Sequence, residues 1–394
     1  MIAAMKDDRR RCPHFGRCGG CDMLDLRYDD ELDEKLLEVE HYLSRFGHVE
    51  DVIASPRTLG YRCKVQAVCG MDRGHLVTGI YRRGTHHLIP IRSCPLEDPL
   101  ATEVVSTVRH LADRAGLEAW DEDLMTGDIR HILVRTSSYY KEALVVLVVA
   151  DAHLPCASDL AAAIHQRCPY VKSVSLVENR AKTSMVIPAG ATERVIYGRG
   201  YIVDRVCWLD FRISGLSFFQ INPVQAECLY SIAVDMADLR SGDVVIDAYC
   251  GTGTIALIAA ASASCRVIGI EANEDAVKMA RENARQNGIT NAEFISADAS
   301  VKLKEMAREG QTCSVLFLDP PRSGSSEQFL AAAGRMKPDR IIYVSCNPQT
   351  LGRDLRYIHH QLGYRVKAIQ PVDLFPGSAH IETVVMIDRP RPRI

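Results

Sequence analysis

Apolar and polar positions alternate differently in the two halves of this chain. Between Tyr61 and about Ser214 the apolar runs are short and rich in β-branched residues, at 65–68, 144–149, 173–176 and 206–213, which predicts strands. Helical periodicity interrupts them near 100–115 and around 158–167, so this half reads as α+β. Ahead of it, Leu32, Leu36, Val39 and Leu43 recur at helical spacing and predict a helix from Asp30 to about Phe46, stopped by Gly47. Farther along, Asn222-Pro223 offers a capped helix start, with the helix running to about Leu239. Strand-like runs then follow at 244–247, 266–271, 292–295, 315–319 and 340–344, separated by helix-like segments such as 274–287 and 327–336. Strand and helix in strict turn predict a doubly wound, Rossmann-like α/β sheet, with 366–372 and 381–387 as an antiparallel end. The expected division is an α+β domain over residues 1–215 and the α/β domain over 216–394.

Composition narrows the class. At 394 residues, 47% hydrophobic and 25% charged, the chain can bury two cores, and nothing suggests disorder. A formal charge of −3 excludes a uniformly basic coat but leaves room for a local basic patch. Residues 1–11 lack an apolar leader core, and no run approaches the roughly 18 apolar residues of a membrane span, so a cytoplasmic location without membrane contact is expected. Fourteen cysteines in a reducing compartment point to metal where they cluster, and to core or catalysis where they do not.

Chemistry concentrates at the predicted strand ends. Asp247-Ala-Tyr249-Cys-Gly251-Thr-Gly253-Thr254 leaves a strand, turns on two glycines and enters a helix, which lets a ligand lie against bare backbone. Glu271 ends the next strand, where a carboxylate can take both hydroxyls of a ribose. Ala256 stands where a dinucleotide fold prefers its third glycine, so S-adenosylmethionine fits better than a nicotinamide cofactor. Asp298, after a further strand, fits the same site and can serve as a helix N-cap at the same time. Asp319-Pro-Pro-Arg322 ends another strand, and Arg322 replaces the aromatic that would stack on a base in amino-methyltransferases. Cys346, in Ser345-Cys-Asn-Pro348, sits at the same edge. A thiolate there suits attack on C6 of a pyrimidine, which makes C5 nucleophilic toward a methyl sulfonium. The C5 proton then needs a base, and Glu382 in His380-Ile-Glu382 is the candidate.

Five motifs in order over about 165 residues resemble the RNA uracil-C5 methyltransferases. They are Phe219-Gln220-x-Asn222, Asp247-x-Tyr249-Cys-Gly, Asp319-Pro-Pro-Arg-x-Gly324, Ser345-Cys-Asn-Pro-x-Thr350-Leu-x-Arg353-Asp354 and Asp373-x-Phe-Pro-x-x-x-His380-x-Glu382. The resemblance implies that Cys346 is the nucleophile and Glu382 the proton acceptor. It places Gln220, Tyr249, Gly251, Thr254, Glu271, Asp298 and Asp319 around the methyl donor and the target base. The chain departs from the pattern at Gly377-Ser378-Ala379, where the family more often has a threonine two residues before the histidine.

Cys12-x5-Cys18-Gly-Gly-Cys21 with Cys94 before a proline has spacing open to zinc or to an iron–sulfur cluster. The resemblance implies a [4Fe–4S] cluster on these four cysteines, closed on every iron and therefore not a radical centre. Only eleven residues precede Cys12, so the extra N-terminal barrel of some relatives is not expected, and 23S rRNA becomes the expected substrate ahead of transfer RNA. A uracil must be flipped out to reach a thiol at a sheet edge. Tyr61-Arg-Cys-Lys64, 79–87 with Tyr81, Arg82, Arg83, His86 and His87, and 127–131 with Arg130 and His131 are candidate RNA contacts. The alternatives are N-methylation of a base or protein, and an iron–sulfur RNA-binding or redox-sensing protein without catalysis. No protein partner is implied.

Overall fold

The structure, a computed structural model, describes residues 12–183, 185–188 and 190–390. The leaderless start expected from residues 1–11 lies outside the described residues. Two compact units emerge within them, one of residues 12–27, 57–205 and 212–223 and one of residues 28–56, 206–211 and 224–390. Helix α1 (Tyr28–Leu43), from the stretch expected to form the first domain, belongs to the second unit.

In the first unit the strands are β1 (Lys64–Asp72), β2 (His75–Tyr81), β3 (Leu88–Pro90), β4 (Ile129–Thr136), β5 (Ala143–Val149), β6 (Val171–Glu178) and β7 (Glu193–Gly198), with helices α2 (Pro99–Arg114) and α3 (Ala157–Arg167). They form one sheet in the order β3-β2-β1-β4-β5-β6-β7, antiparallel except between β5 and β6. Every residue of β4 and β5 is buried, as expected of central strands covered on both faces. Asp98 caps α2 by accepting from Leu100 N at 2.8 Å, and Pro99 fills the first turn, where its missing N–H costs nothing. Val104 and Val108 of α2 then bury with Ile132, Val145 and Ile164 in one core.

Residues 206–213, expected as one strand, are two: β8 (Tyr201–Val206) and β9 (Leu209–Ser214). Between them Cys207 (φ 48°) and Trp208 (φ 66°) take left-handed backbone, which reverses the chain. Helix α4 follows (Pro223–Ala237).

The second unit alternates β10 (Val244–Ala248), α5 (Thr254–Ser262), β11 (Arg266–Glu271), α6 (Glu274–Gln286), β12 (Ala292–Ser296), α7 (Ala299–Arg308), β13 (Val315–Leu318), α8 (Glu327–Arg335), β14 (Arg340–Ser345) and α9 (Pro348–Leu362), and ends with β15 (Arg365–Val372) and β16 (Glu382–Asp388). The sheet order is β12-β11-β10-β13-β14-β16-β15, a doubly wound Rossmann-like sheet as expected from the sequence. Strands β10 to β14 run parallel, and β16 is antiparallel to both neighbours. Ile246, Ile268, Leu316, Phe329, Tyr343 and Val385 fill its core, each aliphatic among them contributing about 1.5–3 kcal/mol by burial.

Helix α1 buries Val39 and Leu43 of its expected apolar stripe, with Leu32 and Leu36 partly buried, and adds two charged residues to that face. Glu31, Lys35, Val39 and Leu43 are buried, whereas Leu37 is 61% exposed. The reason is an internal ion pair, since Lys35 Nζ donates to Glu31 Oε1 and Asp373 Oδ1, each at 2.7 Å. Among the described residues no helix is long and apolar enough to cross a membrane.

Candidate active site

Strand order reverses at β10, which has β11 on one side and β13 on the other. The crevice beyond the carboxyl ends of such strands is where an open α/β sheet holds its ligand. Every site residue expected at a strand end arrives there: Tyr249 and Gly251 after β10, Glu271 at the end of β11, Asp319 after β13 and Cys346 after β14.

On the β10–β11 side the backbone turns through Tyr249 (φ 77°), Gly251 (φ 54°) and Gly253 (φ 86°) before Thr254 opens α5. Glu271 braces this turn, accepting from Gly251 N at 3.1 Å and from Asn273 N at 2.9 Å. A side chain at Gly251 would meet no atom within 4 Å, so space lies open above the turn. Asp247 is buried and accepts from Ala256 N at 3.0 Å through one oxygen, while the other has no partner among the described residues. Burial, then the charge of Asp319, pushes the Asp247 carboxyl up to about 8. Tyr249 packs on Phe329 with ring centroids 5.0 Å apart. An orphaned acid, a bare backbone turn and a strand-end carboxylate fit a nucleoside carrying a positive charge. Asp298 is exposed and accepts from Val301 N at 3.0 Å, so the helix N-cap reading holds for it in this structure. Gln220 lies in the first unit, where it is buried and its carbonyl accepts from the Cys63 thiol at 3.4 Å.

The thiol side depends on the reversal of β16. Because β16 runs antiparallel to β14 with Ser345 opposite Thr383, its first residue, Glu382, arrives beside Cys346. Cys346 is partly exposed, and Glu382 is only 4% exposed. Burial, then Asp319, holds the Glu382 carboxyl well above the usual carboxylate range against the pull of Arg322. Burial alone brings Asp319 to about 7. Burial and then Glu382 push the Cys346 thiol up to about 11, with Arg322 opposing. Arg322 Nη2 in turn donates to His380 Nδ1 at 3.0 Å. Next to Cys346, Asn347 accepts from Gln349 N at 3.0 Å and Pro348 takes the first turn of α9, which ends the strand at the cysteine.

Two supporting networks escaped the sequence reading. Asp354 is buried and accepts from Ser325 N at 2.7 Å and Tyr343 OH at 2.6 Å, tying α9 to the loop after Asp319. Gly324 is required in that loop, because its φ is +74° and a Cβ would sit 2.6 Å from Asp354 Oδ2. The second network is that of Lys35. Asp373 also accepts from Tyr28 OH at 2.7 Å, and Glu31 accepts from Gly377 N at 2.7 Å, which pins the loop leading to Glu382. A lysine and a glutamate four apart on an otherwise apolar helix face were the available signal.

In the first unit Cys12, Cys18, Cys21 and Cys94 line one cavity of about 20 Å³ with Arg62 and Leu24. All four are free thiols. Cys21 is pushed up to about 12 by burial, then by the charges of Cys18 and Cys12, against Arg62. Four thiols lining one cavity are the donor chemistry of a shared cation or cluster. The side chains are nonetheless not drawn up as ligands, and among the described residues no group of three or more His, Cys, Asp or Glu could hold a metal ion.

With this geometry in hand, the chain was compared with known proteins. The family described as tRNA (Uracil-5-)-methyltransferase matches residues 172–390. An uncharacterized RNA methyltransferase of Caldanaerobacter subterraneus subsp. tengcongensis is 38% identical over 382 residues, spanning 96% of this chain and 84% of that protein. Another, from Halalkalibacterium halodurans, is 37% identical over 395 residues, spanning 98% and 85%. Among solved structures, the Pyrococcus abyssi tRNA (uracil-54, C5)-methyltransferase in complex with S-adenosyl-L-homocysteine superimposes with a TM-score of 0.77 at 27% identity, covering 94% of this chain and 86% of that one.

Proposed function

The chain belongs to the tRNA (uracil-5-)-methyltransferase family and is an S-adenosylmethionine-dependent RNA uracil-C5 methyltransferase, and we propose that it works through a covalent bond from Cys346 to C6 of the target uracil. The observation that carries this reading is the β14–β16 register, which sets a buried carboxyl beside a partly exposed thiol at the end of the sheet.

The Cys346 thiol, partly exposed, gives up its proton to solvent water and the thiolate adds to C6, moving the electron pair of the C5–C6 double bond to C5. C5 displaces the methyl group from the sulfonium, releasing S-adenosylhomocysteine. Ionised Glu382 then takes the C5 proton, and the freed pair restores the double bond as the thiolate leaves. A carboxyl held well above its usual range is a stronger base once ionised, which suits Glu382 to a carbon-bound proton. Around the donor we assign Glu271 to the ribose, Tyr249, Gly251 and Thr254 to the turn beneath it, and Gln220, Asp298 and Asp319 to its remaining polar contacts. The first unit takes the role of RNA recognition and the second that of methyl transfer.

Cys12, Cys18, Cys21 and Cys94 would hold a [4Fe–4S] cluster, a closed and non-radical centre. Iron and acid-labile sulfide in anaerobically purified protein, both lost in Cys94→Ser, test this assignment. The substrate we assign is a uridine of 23S rRNA, supported by the family resemblance of the cysteine set. A uridine of transfer RNA is the second reading, favoured by the substrate of the Pyrococcus abyssi neighbour. Mapping the 5-methyluridine missing from a strain without the gene decides between them. RNA carrying 5-fluorouridine tests the mechanism, because fluorine cannot leave as the C5 proton does. A stable protein–RNA adduct is expected, and its absence, or its persistence in Cys346→Ala, would sink the covalent route.

A further inference from the structure

The first unit contains a second recess, of about 250 Å³, lined among others by Tyr81, His86, Trp120, Glu122, Arg130 and His131. Two segments far apart in sequence, 79–87 and 127–131, thus meet in one place.

Its construction is specific. Neighbouring residues of a regular strand point to opposite faces, yet Arg130 and His131 both line the recess. The pairing of β4 with β5 shifts register between Ile129 and His131, and such a bulge re-aims side chains. Gly127 lets the preceding loop fold back, for at φ +106° its missing Cβ would lie 2.4 Å from Ala119 O. Trp120 N then donates to Ile129 O at 2.9 Å, fixing the backbone at Trp120 beside the start of β4.

The polar groups divide into two kinds. Arg130 serves the scaffold, since it pairs with Glu122 and donates to Asn179 O at 3.0 Å and Ala181 O at 2.7 Å. His131 Nδ1 and Trp120 Nε1 are buried with no partner among the described residues. His131 is 7% exposed, and burial beside Arg130 lowers its pKa to about 4, so the ring is neutral at physiological pH. Buried polar atoms are rarely left unpaired, and a pair of them in a recess marks a site that a ligand can complete. Tyr81, 37% exposed, stacks on His86 with ring centroids 5.5 Å apart and planes at 24°, offering an aromatic face. Beside it, Arg82 is exposed and able to meet a phosphate.

A flat heteroaromatic ring with polar edge atoms satisfies both kinds of contact. We propose that this recess binds one unpaired nucleobase of the substrate RNA, distinct from the methylated uracil, and so helps select the RNA. The proposal rests on the reading of this protein as an enzyme acting on RNA. The one thiol that lines the recess, Cys69, is buried, and the recess lies entirely within the first unit.

The chain has two tryptophans, and Trp208 is 85% exposed, so Trp208→Phe leaves Trp120 as the sole indole reporter. Titration with an RNA oligonucleotide that the enzyme methylates is expected to quench Trp120 fluorescence about twofold or more. Replacing one nucleotide near the target by an abasic residue should abolish the quench. Tyr81→Ala and His131→Gln are expected to raise KM for that RNA about tenfold, the order that stacking of one base supports, with kcat changed less than twofold. Tyr81 is exposed, so its variant tests the site without a core cavity. Normal methylation without quenching or any KM change would overturn the recess as a base site. Quenching by free nucleoside monophosphates with KM for RNA unchanged would overturn the RNA assignment in favour of a free nucleotide. Failure of the unmodified enzyme to methylate any RNA would instead overturn the reading on which the proposal rests.

Discussion

Replacing Lys35 by methionine removes one cation from beneath the loop that carries Glu382, and the cost can be worked from the contacts. Lys35, Glu31 and Asp373 have fully buried side chains, and Lys35 Nζ also donates to Phe375 O at 3.3 Å. Breaking a buried ion pair from one side costs about 3–5 kcal/mol, because the remaining charges stay out of water. Glu31 keeps Gly377 N, and Asp373 keeps Tyr28 OH and Phe375 N, so the lower end, about 3 kcal/mol, applies. With a urea slope of about 2 kcal/mol per molar, the unfolding midpoint of the second unit should fall by about 1.5 M at pH 7.5. The sign with pH follows from the carboxyls. Burial already raises Asp373 while Lys35 lowers it, so the variant raises it further. A carboxyl whose folded pKa is raised destabilises the fold as pH climbs past its unfolded value near 4, and costs nothing below that value. The deficit of Lys35→Met should therefore shrink from pH 7.5 to pH 4.5, and adding Glu31→Gln and Asp373→Asn should restore most of it at pH 7.5. A loss under about 1 kcal/mol, or a deficit that grows in acid, would refute the argument. In the same variant Cys346 stays in place, so the 5-fluorouridine adduct should still form while turnover on ordinary RNA falls.

Glu382→Gln should accumulate a covalent adduct on ordinary RNA, seen as a mass increase that survives denaturation, because the C5 proton loses its acceptor. With the Cys346 thiol at about 11, the rate of adduct formation on 5-fluorouridine RNA should climb about tenfold per pH unit between pH 7 and 9, and a flat profile would contradict thiolate attack. Arg322→Gln, which removes the charge opposing that rise, should move the profile to higher pH at constant protein stability. Gly269→Ala should cost about 1–3 kcal/mol and raise KM for S-adenosylmethionine, since a Cβ there would lie 2.5 Å from Phe294 and 2.9 Å from Cys250 Sγ beside the cofactor turn.

Strand ends were legible in the sequence because strand, turn residue and functional group lie within a few positions of one another. Cys346 shows this, with an apolar strand before it and Asn347-Pro348 after it forming an N-cap and first turn. Asp247, Glu271 and Asp319 follow the same logic. Side-chain partners from distant segments were not legible. Nothing local marks Asp354 as the acceptor for Tyr343, and nothing in α1 marks Lys35 and Glu31 as buried beside Val39 and Leu43, because Lys35 finds Asp373 only 338 positions later. The strand over 206–213 was misread because Cys207 and Trp208 lack glycine's freedom, so composition gave no hint of left-handed backbone there. The four cysteines were recognisable as a group by spacing, yet spacing says nothing about how closely their sulfurs approach.

The one antiparallel insertion in the sheet explains why the thiol and the carboxyl could be paired only in outline from the sequence. In a wholly parallel sheet each strand would bring its carboxyl end to the crevice, and a base could come only from the end of a neighbouring strand. Placing β16 between β14 and β15 brings a strand's first residue to that edge, so Glu382 meets Cys346 from a loop rather than from a strand end. The loop has to be held by something other than the sheet, and the Lys35 network does this at Asp373, Phe375 and, through Glu31, Gly377. The same crowding pushes the pKa of Asp319, Glu382 and Cys346 upward together, with Arg322 opposing at the latter two. A sulfonium is the one substrate group that brings positive charge to such a site. Its arrival would favour the ionised forms of all three acids at once, coupling donor binding to the thiolate and carboxylate that the proposed covalent route needs.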